Sequence, residues 1–100
     1  MTTIETEMLT AESRVSVSPS VYARDFGAEL VLLDFGRGEY FGLDELGAEI
    51  WRLLESGSPI GTVTDAVVAR YEVPREQALQ DVVALVSHMQ SQGLVALRVA

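Results

Sequence analysis

The sequence predicts an α+β domain, with a three-stranded antiparallel sheet followed by three helices. Three observations carry this. Up to Leu43 the chain runs in short apolar or alternating stretches broken by Pro, Gly and Ser. From Asp44 to Gly57 the apolar residues fall at 46, 50, 53 and 54, the spacing of one helix face. Beyond Gly57, prolines at 59 and 74 and a glycine at 93 divide the remainder into two further helical stretches.

The strands come first. Residues 1–12 are polar, acidic and without period, and are expected to form a disordered tail ahead of a domain over 13–100. Arg14–Val17 alternates apolar and polar residues, as a half-buried strand does. Ser18-Pro19-Ser20 breaks it. Val21 to Gly27 reads as extended or irregular, with Gly27 turning the chain. Glu29–Asp34 is a continuous apolar run bounded by turns, the pattern of a strand covered on both faces. Phe35-Gly36-Arg37-Gly38 is a four-residue hairpin loop, and Glu39–Leu43 returns antiparallel. The expected meander is therefore 14–17, 29–34 and 39–43, with the third strand at an edge.

The helices follow without a linker. The Asp44 carboxylate can accept from free N–H groups in the first turn of a helix over about 44–56, and Gly57 supplies its left-handed stop. Ser58-Pro59 suits the start of the second helix, with Ser58 as cap and Ile60, Val63, Val67 and Tyr71 as its buried face. Pro74 opens a third over about 75–92, closed by Gly93. Leu94–Leu97 is a short extended tail that can pack as a strand.

The totals exclude several function classes. One hundred residues with 48% hydrophobic content make one domain. With no cysteine there is no disulfide scaffold, thiolate metal site or cysteine nucleophile, and the composition fits a cytoplasmic location. The longest apolar run, Leu30 to Phe35 interrupted by Asp34, is far below the roughly 20 residues a bilayer span needs, so no membrane is expected as a partner. The acidic N-terminus is not a signal peptide. Net charge is −8, and the seven bases, all Arg, face 15 acids. Most faces would repel a nucleic acid, and the third helix has Arg75 at its start and no other base. His88, the lone histidine, projects from the apolar stripe as a solvated residue, and with no Cys or second His it predicts no metal site or other cofactor. No nucleophile motif is present, and no enzymatic constellation emerges.

The third helix is apolar over a wide arc. Ala78, Val82, Leu85 and Met89 share one face, the ordinary core face. Leu79, Val83, Val86 and Gln90 lie on a neighbouring stripe about 90° round. Either the helix is deeply buried, with the tail at 94–97 covering the second stripe, or that stripe borders a groove beside the third strand. An edge strand presents unpaired backbone groups, and an extended peptide can add to it and drop alternate side chains onto an adjacent apolar surface.

Strand–strand–strand followed by three helices is a winged-helix-like layout, and the local wording goes further. Leu32-Leu33-Asp34, a four-residue loop, Tyr40-Phe41-x-Leu43-Asp44, Gly47-Ala48, Ile50-Trp51-x-Leu53-Leu54, Gly57, Tyr71-x-Val73, Asp81-Val82 and Gly93-Leu94-Val95 together resemble the PqqD-like family. These are small recognition proteins for leader peptides in ribosomal peptide natural-product pathways. The resemblance covers about residues 14–97, with one departure, Asp44, where the family often has Asn. The chain looks most similar to the standalone recognition proteins of lasso-peptide clusters. The resemblance implies a non-catalytic adaptor that binds the precursor leader peptide along the third strand, against the third helix, and presents it to a partner leader peptidase. Lasso leaders typically offer a Tyr and a Pro three residues later as anchors. Two rivals stand beside it: within the family, a precursor chaperone of the pyrroloquinoline-quinone type working with a radical enzyme, and, from the winged-helix-like layout alone, a DNA binder that the negative charge opposes.

The expected peptide-binding residues are Glu39, Tyr40, Phe41, Gly42 and Leu43 on the strand, and Leu79, Val83, Val86 and Gln90 on the helix. Phe41 and Leu43 should share one face, toward the core, with Tyr40 and Gly42 on the other. Gly42 either lets a peptide backbone approach closely or simply loosens the strand end. Glu39 suits a Lys-bearing leader. Glu45 and Glu49 form either a solvated acidic face or a site for a basic partner. Trp51, at the margin of its helix's apolar face, reads as core.

Overall fold

The computed structural model describes residues 9–98. In chain order the elements are β1 (Val15–Val17), β2 (Val21–Phe26), β3 (Glu29–Asp34), β4 (Glu39–Leu43), α1 (Glu45–Glu55), α2 (Ile60–Tyr71), α3 (Arg75–Ser91) and β5 (Val95–Leu97). The α+β class and the three-helix succession are as expected. The membership of the sheet is not. The three-stranded antiparallel sheet has the order β2-β3-β4, so its first strand is the segment 21–26 and not 14–17. β1 instead pairs with β5, Val15 opposite Leu97 and Val17 opposite Val95, as a separate two-stranded sheet.

β3 lies between its two neighbours and is covered on its inner face. Leu30, Leu32 and Asp34 point inward and are buried, while Val31 and Leu33 on the outer face are half-exposed. Gly27 and Gly38, both at positive φ, turn the chain at either end of β3. The inner face packs on α1 through Ile50, Trp51 and Leu54, and the core continues through Ile60, Val63 and Val67 of α2 to Ala78, Val82, Val86 and Met89 of α3. Tyr71, expected on the buried face of α2, is 39% exposed. Thr64 takes a core position in that helix, its hydroxyl satisfied by the Ile60 carbonyl at 2.8 Å.

Both ends of α1 follow local chemistry, and the start of α2 does not. The Asp44 Oδ1 accepts from Gly47 N–H at 2.9 Å and caps α1, and Gly57 (φ +89°) follows its end. Ser58 does not cap α2. Pro59 stands at the cap with no side-chain bond. The first-turn N–H groups of Ile60 and Gly61 donate instead to the carbonyls of Ser13 (2.9 Å) and Ala11 (2.7 Å). Leu9 is buried as well. Residues 9–12 are thus packed against the domain, while the rest of the expected tail, residues 1–8, lies outside the described residues.

Trp51 is fully buried, as expected, yet its indole N–H has no hydrogen-bond partner among the described residues. Leaving such a donor unpaired costs about 1–3 kcal/mol. Trp51→Phe removes that donor along with some packing volume, so the two effects oppose. Urea unfolding of Trp51→Phe is expected to give a stability within about 1 kcal/mol of wild type, far less than the 3–5 kcal/mol typical of deleting a core aromatic ring.

Candidate functional site

The hydrogen-bond parity of the sheet identifies which backbone groups are free on its β4 edge. Phe35 N–H donates to the Ser20 carbonyl at 3.0 Å, just beyond the paired ends of β2 and β3. Odd-numbered residues of β3 therefore bond toward β2, and even-numbered ones toward β4. With Leu30, Leu32 and Asp34 opposite Leu43, Phe41 and Glu39, those three β4 residues spend their N–H and C=O groups on β3. Tyr40 and Gly42 turn theirs outward, to the side where no further strand lies among the described residues. A Cβ placed on Gly42 would meet nothing within 4 Å, so the outer face is open there.

The C-terminal segment does not close this edge, because β5 is committed to β1. The opposite edge, β2, is guarded differently. Its Asp25 pairs with Arg52 of α1 and its Arg24 is exposed, and charges of this kind discourage strand addition. The outward-turned residues of β4 carry no charge.

The expected side-chain pattern of β4 holds in its alternation. Phe41 and Leu43 are half-buried against the core, while Tyr40, at 77% exposure, and Gly42 lie on the outer face. Glu39 is exposed and pairs with Arg37 at 3.6 Å. On α3 the expected second stripe is only partly realised. Leu79 and Val83 are half-exposed at the margin of the core, and Gln90 is half-buried. Val86 is fully buried, and the half-exposed place falls to Leu85. The correction is angular: at 80° from Ala78, Val86 falls at the edge of a buried arc wider than two neighbouring stripes allowed. A side chain with no accessible surface cannot touch a ligand, so Val86 supports the helix from within.

β4 and α3 are tied at one end. The Arg37 guanidinium in the β3–β4 loop donates to the Gln92 carbonyl, past the C-terminus of α3, at 2.8 Å. Gly93 (φ +77°) makes room for it, since a Cβ there would lie 2.9 Å from the same guanidinium nitrogen. The loop itself is built on Asp34. Its Oδ1 accepts from Ser20 Oγ (3.0 Å), Gly36 N–H (3.0 Å) and Arg37 N–H (3.3 Å). Sequence reasoning missed both Asp34 and Arg37. The signal for Asp34 was present in Asp34-Phe35-Gly36, since Asp bonds the backbone two residues on in such turns. Nothing local marks Arg37.

Glu45 and Glu49 form no free acidic face, because both reach Arg70 of α2, Glu49 at 2.7 Å. They border a concavity of about 430 Å³ between α1 and α2, which includes no residue of β4 or α3. Among the described residues, no group of three or more His, Cys, Asp or Glu could hold a metal, and no helix is long and apolar enough to cross a membrane.

The family described as Coenzyme PQQ synthesis protein D (PqqD) matches residues 29–95, from the start of β3 to the start of β5. The chain belongs to the PqqD family. Two solved structures share its fold and about a third of its residues. TbiB1 in complex with the TbiA(β) leader peptide is 34% identical at a TM-score of 0.77, covering 80% of this chain and 93% of that one. Lasso peptide synthetase B1 complexed with the leader peptide is 31% identical at 0.75, covering 86% and 99%. A PqqA binding protein of Bradyrhizobium diazoefficiens (strain USDA 110) is 33% identical over 52 residues, 52% of this chain. The chain spans about half the length of that curated relative. The PqqD stretch contains both β4 and α3, together with the Arg37–Gln92 contact between them.

Proposed function

We propose that this PqqD-family chain is a non-catalytic adaptor of the cytoplasm that binds the leader of a ribosomal precursor peptide, of lasso type, and presents it to a partner leader peptidase. The leader adds as a strand to β4, pairing with the outward N–H and C=O groups of Tyr40 and Gly42. Its inward side chains meet Phe41, Leu43 and the Leu79–Val83–Gln90 flank of α3, and Glu39 receives a basic side chain. The observation that carries this reading is the β4 edge, whose outward-turned residues Tyr40 and Gly42 carry no charge and pair with no strand among the described residues. The two similar structures holding leader peptides support it. Strand addition of this kind gives affinities from micromolar to nanomolar, about −8 to −12 kcal/mol. Tethering the leader raises the effective concentration of the scissile region at the peptidase without any new contact there.

A second reading keeps the mechanism and changes the pathway: a quinone-cofactor precursor chaperone working with a radical enzyme, favoured by the likeness to the PqqA binding protein. Titrating fluorescent leaders of both kinds separates the two. The decisive pair of variants lies on α3. Val83→Glu, at the half-exposed margin, is expected to weaken binding of the labelled leader from the same gene cluster at least tenfold while far-UV circular dichroism stays native. Val86→Glu, wholly inside, is expected to unfold the domain. Native binding by Val83→Glu would remove this flank of α3 from the site.

A further inference from the structure

Four of the seven aromatic residues stand exposed on one side of the sheet or its hairpin: Tyr22, Phe26, Phe35 and Tyr40, all at 58% or more. Tyr22, Leu33 and Tyr40 form one cross-strand row on the outer face. Phe35 stands beside this row, its ring edge-on to Tyr22 at 5.3 Å between centroids. At the hairpin end, Leu33, Phe35, Gly38 and Tyr40 help line a concavity of about 240 Å³. A core function does not explain these rings, and an exposed apolar cluster of this kind marks a contact surface.

The register of an added strand says what would reach it. Consider an antiparallel strand on β4, with one residue opposite Tyr40. Residues facing each other across adjacent strands point to the same side, so that residue lies on the outer face. The residue before it is opposite Phe41 and the residue after it opposite Glu39, both directed inward. The residue two beyond passes Gly38, just outside the end of β4, and by the guest strand's own alternation again points outward, toward the concavity. Gly38 itself contributes no side chain, and a Cβ there would meet nothing within 4 Å among the described residues. An antiparallel guest must also run toward the hairpin, so its C-terminal part is the one that passes Gly38.

We propose that the concavity between Phe35 and Tyr40 is a second specificity pocket, which takes one large apolar side chain of the precursor, two residues C-terminal to the residue paired with Tyr40. This rests on the strand-addition reading above. It reads the peptide on the face opposite α3, so two faces of the same guest strand are inspected. Phe35 supplies the wall that comes from the hairpin loop, opposite Tyr40 of β4.

A series of leader peptides from the precursor gene of the same cluster, shortened one residue at a time from the C-terminus, tests this by fluorescence titration against the full chain. Wild type is expected to show one step of about tenfold in Kd on loss of a single apolar residue, ~1.4 kcal/mol. Phe35→Ser is expected to bind the shorter peptides as wild type does and to show a step below about twofold. Phe35→Leu restores the step. A step of equal size in Phe35→Ser and wild type, or no step in either, overturns the pocket while the binding of short peptides leaves strand addition standing. A step on N-terminal shortening that depends on Phe35 overturns the antiparallel direction and the pocket assignment with it. If no peptide of any length binds, strand addition itself falls.

Discussion

Gly42→Pro is expected to remove leader binding from a domain that still folds, whereas Phe41→Pro is expected to unfold the sheet. The two positions are neighbours, and the contrast comes from backbone parity alone. The Phe41 N–H belongs to the ladder with β3 opposite Leu32, so a proline there deletes an internal bond in front of a buried leucine. The Gly42 N–H points off the sheet, where proline is tolerated in edge strands. In the proposed complex that N–H is one of the few main-chain donors available to the guest, and the pyrrolidine ring would also hold the guest backbone away from the edge. Losing one hydrogen bond contributes about 1 kcal/mol, and the blocked approach at least as much, so a weakening of thirtyfold or more is expected, ~2 kcal/mol. Circular dichroism on both variants and a leader titration on Gly42→Pro suffice. Wild-type affinity in a natively folded Gly42→Pro would mean that the guest docks elsewhere.

Asp34→Ala is expected to destabilise the domain by about 2 kcal/mol, with a fall in Tm of roughly 8–16 °C for a domain of this size. Asp34 is 2% exposed, and its Oδ1 gathers three donors from two turns: the Ser20 hydroxyl before β2 and the Gly36 and Arg37 N–H groups after β3. Alanine leaves all three without their acceptor, and the two backbone donors recover water only in part. Asp34→Asn keeps an oxygen at Oδ1 and is expected to cost less than about 1 kcal/mol. Thermal unfolding of the two variants distinguishes a hydrogen-bonding role from a requirement for charge. If Ala and Asn cost the same, the three bonds are not what Asp34 contributes.

Local signals accounted for much of this architecture. Asp44, Gly57, Gly93 and Pro74 are read from immediate neighbours, and each ends or opens a helix as its chemistry requires. The β4 hairpin was legible for the same reason. What failed was long-range. Arg14–Val17 has the alternation of a strand, but nothing local says that its partner is Val95–Leu97, some 80 positions on, and not its nearer neighbours. β2 was ambiguous because nearly all of it is exposed on both sides, so no apolar alternation was selected into it. The α2 cap was misplaced because Ala11 and Ser13 reach across from the opposite end of the sequence to do what Ser58 was expected to do. At the site, the alternation of β4 was readable, while Val86 showed the limit of a helical wheel. The wheel gives angles without saying how wide the covered arc will be, and α2 and β5 together set that width.

The pairing of Val15 with Leu97 brings the start of β1 and the end of β5 side by side. A linker from Arg98 back to Leu9 would close the backbone into a ring while keeping the Ala11 and Ser13 carbonyls that receive the first turn of α2, and a circular permutant reopened at the exposed Gly27-Ala28 turn should retain the fold. That turn lies at the opposite end of β3 from the hairpin, so new termini placed there would leave the β4 margin unobstructed for reporter fusions.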